Sequence, residues 1–253
     1  MVESPAGVSG RAFNEEAYRV LRSNLNVAIS DLERATVIVT SAQPGEGKTA
    51  TAANLARVMA LGGQRVVLAD LDLRHPDIHR WFGASNDAGV TDILLGRGTI
   101  DGSLRYVDVS SGSTGARGLY LLPTGSPVAN PTELLGSRRM AELLDALATQ
   151  ADIVVIDTPP VLPVADTLVI GRMAAGAILV AEARKTPVAA IQRAKDALTR
   201  SQTRLLGLVV NKMQAKDLDV AYGYGYGYGD SYGDGESYGD GAPSGNGRPG
   251  DIL

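Results

Sequence analysis

Apolar segments that alternate with helical segments constrain the fold of this chain more than any other feature. Buried strands are predicted at residues 36–41, 65–70, 152–157, 174–181 and 205–210. Helices are predicted from Asn14 or Glu15 to about Ile29 and at residues 49–61, 137–148 and 188–200. Apolar strands separated by helices of about ten to fifteen residues are typical of a parallel sheet covered on both faces. The sequence therefore predicts an α/β fold with a mostly parallel sheet, in which ligands bind at the carboxyl ends of the strands.

A glycine-rich loop lies between the first predicted strand and the helix that follows it. Residues 41–49 read SAQPGEGKT. Gly45 and Gly47 would let backbone N–H groups close around phosphates at the N-terminus of the helix. Lys48 would reach the β- and γ-phosphates, and the Thr49 hydroxyl would bind Mg²⁺. This loop in this position predicts a P-loop NTPase fold that binds ATP.

Two further predicted strands end in aspartates. Residues 66–74 read VVLADLDLR and include Asp70 and Asp72, while IVVIDTPP places Asp157 at the end of another strand. Alternation along an extended chain sends Asp70 and Asp72 to the same side. Taken alone, each motif is also compatible with a solvated strand end. Because the P-loop lies at the same edge of the sheet, the three motifs together predict a nucleotide site at which carboxylates bind a metal ion.

The C-terminal segment, residues 215–253, differs in composition from the rest of the chain. It contains six of the nine tyrosines, which are Tyr222, Tyr224, Tyr226, Tyr228, Tyr232 and Tyr238. Glycine at this density makes ordering costly, and no aliphatic residue lies between Tyr222 and Gly241, so we expect a disordered tail with solvent-exposed phenol groups. Gly–Tyr repeats also occur in low-complexity adhesive segments. The tail alone therefore leaves two alternatives, a kinase substrate and an adhesive segment.

Charge and composition exclude several classes of function. With seven acidic and two basic residues, the segment 215–253 carries a net charge of -5, which leaves +1 on the rest of a chain whose total is -4. A near-neutral body gives no electrostatic reason to expect nucleic acid as a partner. The absence of cysteine excludes disulfides and thiolate catalysis. No apolar run reaches the ~18 residues of a membrane span, so we expect a cytoplasmic setting.

Together, PGEGKT, LADLDLR and VVIDTPP resemble the Walker A, Walker A′ and Walker B motifs of the bacterial tyrosine kinases (BY-kinases). These P-loop enzymes regulate polysaccharide assembly and export. The resemblance extends to EAYRVLRSNL at residues 16–25, which is similar to the ExxRxxR helix of the family, and to NPTELL at residues 130–135. It also includes the strand-end Asn211 and the tyrosine-rich tail, and it covers residues 14–240. Ala42, which replaces the first glycine of GxxxxGK[ST], is compatible with this family.

Two alternatives from other classes remain. The partitioning and septum-site ATPases share the fold and the strand-end aspartates, but their GKGGxGKT loop carries an extra lysine where this chain has Gln43. Such an ATPase switch would hydrolyse ATP without forming phosphotyrosine. A non-catalytic adaptor would bind nucleotide and offer its tyrosines to another kinase.

The resemblance, together with the chemistry of phosphoryl transfer, implies ATP and Mg²⁺ as cofactors and a role for each site residue. The expected catalytic residues are Lys48, Asp70, Asp72 and Asp157. The expected nucleotide contacts are Gly45, Glu46, Gly47, Lys48, Thr49, Ala50 and Asn211. The expected Mg²⁺ ligands are Thr49, Asp72 and Asp157. Asp70 is the candidate to accept the proton of the tyrosine hydroxyl, Asn211 resembles the adenine contact of the family, and Arg74 is expected to pair with a phosphate or an aspartate.

The resemblance also implies partners and a domain organisation. Glu16, Arg19 and Arg22 are spaced to form roughly one stripe of a helix. That spacing alone favours a solvated face with weak ion pairs, whereas the resemblance implies that the stripe contacts a neighbouring subunit in a homo-oligomeric ring. A transmembrane polysaccharide co-polymerase, as a separate chain or a missing fused segment, would activate the kinase at the inner face of the plasma membrane. A tyrosine phosphatase would reverse autophosphorylation, and the cycle would regulate exopolysaccharide or capsule polymerisation and export. We expect a flexible N-terminus at residues 1–13, a kinase domain at 14–214 and the tail at 215–253.

Overall fold

The computed structural model describes residues 8–32, 35–109 and 118–214, with side chains from Glu15 onward. The helices and strands of these ranges belong to one compact unit, Met1–Met213. The predicted phosphoacceptor tyrosines and the tail at 215–253 lie outside the described residues. Within the described ranges, no helix has the length and apolar character needed to cross a membrane.

A single seven-stranded sheet forms the centre of the described unit. Its strands are β1 (Thr36–Ser41), β2 (Val66–Asp70), β3 (Arg105–Val107), β4 (Leu119–Leu122), β5 (Ile153–Asp157), β6 (Gly176–Glu182) and β7 (Leu205–Asn211). The strand order is β3-β4-β2-β5-β1-β6-β7. Every neighbouring pair is parallel except β3 and β4, which are antiparallel. The predicted mostly parallel α/β fold is confirmed.

Helices connect the strands and cover both faces of the sheet. In the described residues they are α1 (Val8–Ala28), α2 (Lys48–Leu61), α3 (Ile78–Trp81), α4 (Val90–Leu94), α5 (Ile100–Ser103), α6 (Pro131–Leu135), α7 (Arg138–Gln150), α8 (Asp166–Gly171) and α9 (Val188–Arg200). Helix α1 begins at Val8, before the predicted start at Asn14 or Glu15, so residues 8–13 are helical. The prediction depended on an apolar face that starts only at Val20. Strands β3 and β4 and the short helices of residues 78–135 were also missed, because this segment has no sustained periodicity.

Two apolar layers hold the helices against the sheet. On one face, α1 and α2 pack through buried residues that include Leu25, Leu55 and Met59. On the other face, α7 and α9 pack through buried residues that include Leu147 and Leu198. The central strands β1, β2 and β5 are buried along their whole length. Parallel pairing in the order β2-β5-β1 places the carboxyl ends of these three buried strands side by side.

Strand register brings the predicted carboxylates together. Asp70 on β2 pairs in register with Asp157 on β5, and Asp157 also lies beside Val39 on β1. The Leu71 N–H donates to the Asp157 carbonyl oxygen at 2.8 Å, which extends the pairing past the end of β2. The P-loop follows β1 directly. The three motifs therefore meet at one edge of the sheet.

Candidate nucleotide site

The P-loop connects β1 to α2 and depends on two glycines in the left-handed region. The φ angles of Gly45 and Gly47 are 80° and 95°. A Cβ atom on Gly47 would lie 2.0 Å from the side-chain nitrogen of Asn211. Glycine at position 47 therefore permits both the left-handed φ angle and the close approach of Asn211 at the end of β7. The loop leads into the N-terminus of α2 at Lys48, which is the arrangement that binds phosphates.

Lys48 joins the three motifs electrostatically. Its Nζ lies 2.9 Å from Asp72 Oδ2 and 3.9 Å from Asp157 Oδ1, and it donates a hydrogen bond of 3.3 Å to Thr49 Oγ1. Burial by itself would lower the pKa of Lys48, but the carboxylates of Asp157 and Asp72 outweigh it, so the pKa is raised. Lys48 therefore stays charged, and phosphate oxygens would compete with Asp72 for its ammonium group.

Asp157 has the properties of a metal ligand. Burial raises its pKa to about 7, against the opposing effects of Lys48 and the Thr49 hydroxyl. Its buried Oδ1 has no hydrogen-bond partner among the described residues, and a buried oxygen without a donor is expected to bind a cation or a water molecule. In the described ranges, no group of three or more His, Asp or Glu could hold a metal ion. Magnesium usually takes one or two carboxylates together with phosphates and waters, so Thr49, Asp72 and Asp157 fit Mg²⁺ bound with a nucleotide.

Asp70 is fully buried and holds the loop after β2. Its Oδ1 accepts from the Asp72 N–H at 3.1 Å, and its Oδ2 accepts from the N–H groups of Asp77 and Ile78 at 3.2 and 3.1 Å. Burial raises its pKa to about 8. Because Asp70 is 0% exposed and is covered by the loop whose N–H groups it accepts from, a tyrosine hydroxyl can reach it only if that loop, residues 71–78, moves.

Arg74 pairs with an aspartate, which is one of the two partners, a phosphate or an aspartate, that were predicted for it. Its Nε lies 2.7 Å from Asp166 Oδ2 and its Nη2 donates to Asp166 Oδ1 at 3.0 Å. The same Nη2 donates to Thr132 Oγ1 at 3.0 Å, and the Thr132 hydroxyl bonds to Asp166 as well. Arg74 thereby ties the loop after β2 to the N-termini of α6 and α8. Thr132 lies in the NPTELL motif, whereas nothing in the sequence singled out Asp166.

The side chains of Glu46 and Asn211 are bound to protein groups. Glu46 Oε2 accepts from the Gln43 N–H at 2.9 Å, and Oε1 accepts from the Thr186 hydroxyl at 2.6 Å. Asn211 Nδ2 donates to the Glu46 carbonyl oxygen at 3.1 Å, and its Oδ1 accepts from the Lys212 N–H. Glu46 can therefore contact a phosphate only through its backbone N–H. Asn211 lies beside the P-loop, and its contact with adenine stays a prediction.

The three residues predicted for a subunit interface do not share one helix face. Arg19 bonds to Glu15 at 2.8 Å and to Glu16 at 3.4 Å on the exposed side of α1. Arg22 instead donates to the Val58 carbonyl oxygen of α2 at 3.1 Å. Residues at i and i+6 are about 120° apart around a helix, so Arg22 faces α2 when Glu16 faces solvent. Arg22 therefore does not lie on the same exposed stripe as Glu16 and Arg19, and the subunit interface stays a prediction for all three residues.

Comparisons with known proteins agree with this geometry. A family model described as ParA, NUBPL iron-transfer P-loop NTPase, matches residues 33–220. The chain is 38% identical to tyrosine-protein kinase YwqD of Bacillus subtilis (strain 168), over 85% of this chain and 87% of that protein. It is 32% identical to tyrosine-protein kinase etk of Escherichia coli (strain K12), over 83% of this chain but 28% of that longer protein. The solved kinase domain of the Escherichia coli enzyme ETK superposes with a TM-score of 0.72 at 30% identity, covering 84% of this chain and 80% of that structure.

Proposed function

Because this chain belongs to the bacterial tyrosine-protein kinases and has their P-loop fold, we propose that it transfers the γ-phosphate of Mg-ATP to tyrosines 222–238. The observation that carries the proposal is the meeting of Lys48 with Asp72 and Asp157 beside a P-loop. Enzymes of this kind act mostly by positioning phosphates and neutralising their charge. A cation surrounded by buried carboxylates at the N-terminus of a helix suits that task.

In this proposal, some of the site residues bind the phosphates and others bind the metal ion. Lys48 exchanges Asp72 for the β- and γ-phosphates, while N–H groups of residues 45–49 bind the same phosphates. Thr49, Asp72 and Asp157 would hold Mg²⁺, which would neutralise negative charge on the phosphates. Asp72 Oδ2, which bonds to Lys48 in this structure, would then be free to bind the metal ion.

Asp70 is the proposed acceptor of the tyrosine proton. The reference pKa of tyrosine is about 10, so a positioned base lowers a real barrier. Burial raises the pKa of Asp70 to about 8, so its ionised form is a stronger base than an ordinary carboxylate, and the proposed step requires that ionised form. Since Asp77 and Ile78 donate to it, movement of residues 71–78 is part of the proposed mechanism.

Regulation would depend on charge and assembly. Glu16 and Arg19 are exposed on α1 and available to a neighbouring subunit in a ring. Each phosphate adds about -1.5 to -2 charges to a tail that already carries -5. Repulsion between phosphorylated tails opens the ring, and a phosphatase resets it. With a transmembrane co-polymerase as activator, this cycle would regulate exopolysaccharide or capsule polymerisation and export.

Mass spectrometry of the intact protein and its tail peptides tests the proposal. Dephosphorylated protein is incubated with Mg-ATP, beside Lys48→Met and the matched control Lys195→Met, whose lysine is exposed on α9. We expect phosphates on residues 222–238 in the wild type and in the control, and none in Lys48→Met. ATP hydrolysis without phosphotyrosine would instead favour the ATPase switch. Phosphorylation of Lys48→Met by a cell extract alone would favour the adaptor.

Light scattering tests the regulatory step. The phosphorylated and dephosphorylated forms are compared at the same protein concentration. We expect a smaller particle for the phosphorylated form. An unchanged particle size would contradict ring opening and leave the kinase activity itself unaffected.

A further inference from the structure

Thr186, in the segment between β6 and α9, contacts the P-loop through the side chain of Glu46. Its hydroxyl donates to Glu46 Oε1 at 2.6 Å and accepts from the Glu182 N–H at 2.8 Å. Glu46 is only 4% exposed, and its other oxygen accepts from the Gln43 N–H. Thr186 is therefore the middle member of a chain of hydrogen bonds that runs from the end of β6 to the start of the P-loop.

Lys212 forms a second link between the end of the sheet and the P-loop. Lys212 Nζ donates to the Gly45 carbonyl oxygen at 2.8 Å and to Glu182 Oε2 at 2.9 Å. Lys185 Nζ reaches the same Glu182 oxygen at 3.3 Å. The ends of β6 and β7 thus hold the P-loop through a backbone carbonyl at residue 45 and through the side chain of Glu46.

The P-loop needs support of this kind because its glycines can adopt many backbone conformations. Gly45 and Gly47 have left-handed φ angles and no side chains that could restrict them. Exposed loop residues with such freedom lose conformational entropy when they close around a ligand. A loop held in one conformation before the ligand arrives avoids part of that loss.

We infer that Thr186 is a positioning residue that holds the P-loop in its phosphate-binding conformation through Glu46. The inference rests on the proposed nucleotide site. The Thr186 hydroxyl bonds to Glu46 and Glu182, so its effect would reach the nucleotide only through the P-loop. A ligand with a β-phosphate depends on the support, whereas a ligand that ends at the α-phosphate depends on it much less.

A pair of substitutions separates the hydroxyl from the bulk of the side chain. Thr186→Val keeps the shape but leaves Glu46 Oε1 and the Glu182 N–H without a partner, whereas Thr186→Ser keeps both hydrogen bonds. The dissociation constants of ADP and AMP, each with Mg²⁺, are measured by calorimetry on the full chain. We expect Thr186→Val to weaken ADP binding about tenfold, the loss of one hydrogen bond to a charged group. Thr186→Ser stays within about twofold of the wild type.

Comparison of the two ligands distinguishes positioning from folding. We expect AMP binding to change little in Thr186→Val, although the two buried groups left without a partner lower the melting temperature by a few degrees. Unchanged ADP binding in Thr186→Val, an equal loss in Thr186→Ser, or an equal loss of AMP binding would each overturn the inference while leaving the proposed function intact. A wild-type chain that binds no ADP would overturn the proposed function and this inference with it.

Discussion

The ion pair between Arg74 and Asp166 allows a quantitative test of how the loop after β2 is held. The Asp166 side chain is 0% exposed and receives two charge-assisted hydrogen bonds from Arg74, whose own side chain is 34% exposed. Arg74→Met keeps most of the apolar stem and removes the guanidinium group. Among the residues that the structure describes, the buried carboxylate then keeps only its bond to Thr132. We therefore expect a large loss of stability from a residue that lies at the protein surface.

The size of this stability loss follows from how deeply each member of the ion pair is buried. Removing one partner of a fully buried pair costs about 3–5 kcal/mol, because the other charge stays buried and unpaired. Water can reach the partly exposed end of Arg74, which places the expected cost of Arg74→Met at about 2–3 kcal/mol. Arg74→Lys keeps the charge but replaces the planar fork by one ammonium group, so we expect about 1–2 kcal/mol.

Urea denaturation at pH 7 measures these free energies of unfolding, with an unchanged m-value as the condition for comparing them. A double-mutant cycle with Asp166→Asn should give a coupling energy of about 2 kcal/mol. The matched control is Arg138→Met, which removes an arginine that is 93% exposed in its pair with Glu142 and should cost less than about 0.5 kcal/mol. Equal costs for Arg74→Met and Arg138→Met, or a coupling energy near zero, would refute the reasoning.

Two further predictions concern the nucleotide site. Gly47→Ala places a Cβ atom 2.0 Å from the Asn211 side chain at a φ of 95°, so it should cost about 1–2 kcal/mol of stability by urea denaturation and weaken ADP binding; tight binding by this variant would contradict the close approach. Burial raises the pKa of Asp70 to about 8 and that of Asp157 to about 7, from an ordinary 3.8. The folded state therefore holds protons that the unfolded state releases, and the free energy of unfolding should fall as pH rises from about 5 to about 8. Asp157→Asn should flatten this slope in urea titrations without Mg²⁺, and a wild-type stability that rises to pH 8 would exclude it.

Much of the candidate site could be predicted because each motif stands at the end of an apolar strand. The strands that precede the P-loop, Asp70 and Asp157 have uninterrupted apolar sequences, and parallel strands share one carboxyl edge. Lys48 therefore meets both carboxylate motifs as the sequence indicated. The pairing of Arg74 with an aspartate was also among the predicted alternatives.

Other contacts join residues that no local pattern relates. Asp166 lies 92 residues from Arg74, and Thr186 lies 140 residues from Glu46. Single polar residues occur throughout the loops of any chain. Only the packed structure shows which of them form buried contacts and which face solvent. The misplaced Arg22 shows the same limit, because the spacing of charges does not reveal which face of α1 the neighbouring α2 covers.

The sequence by itself determined the class of fold, the position of the phosphate loop and the identity of the strand-end carboxylates. It could do so because apolar periodicity and glycine placement are local properties, which the backbone obeys wherever the segment lies. Tertiary structure alone decided the strand order β3-β4-β2-β5-β1-β6-β7. Parallel strands of similar apolar composition do not show in their sequences which strands pair with each other. It also decided that Asp70 holds a loop, that Arg22 faces α2, and that Thr186 supports the P-loop. Each of these outcomes depends on which distant donor or acceptor becomes buried beside the residue.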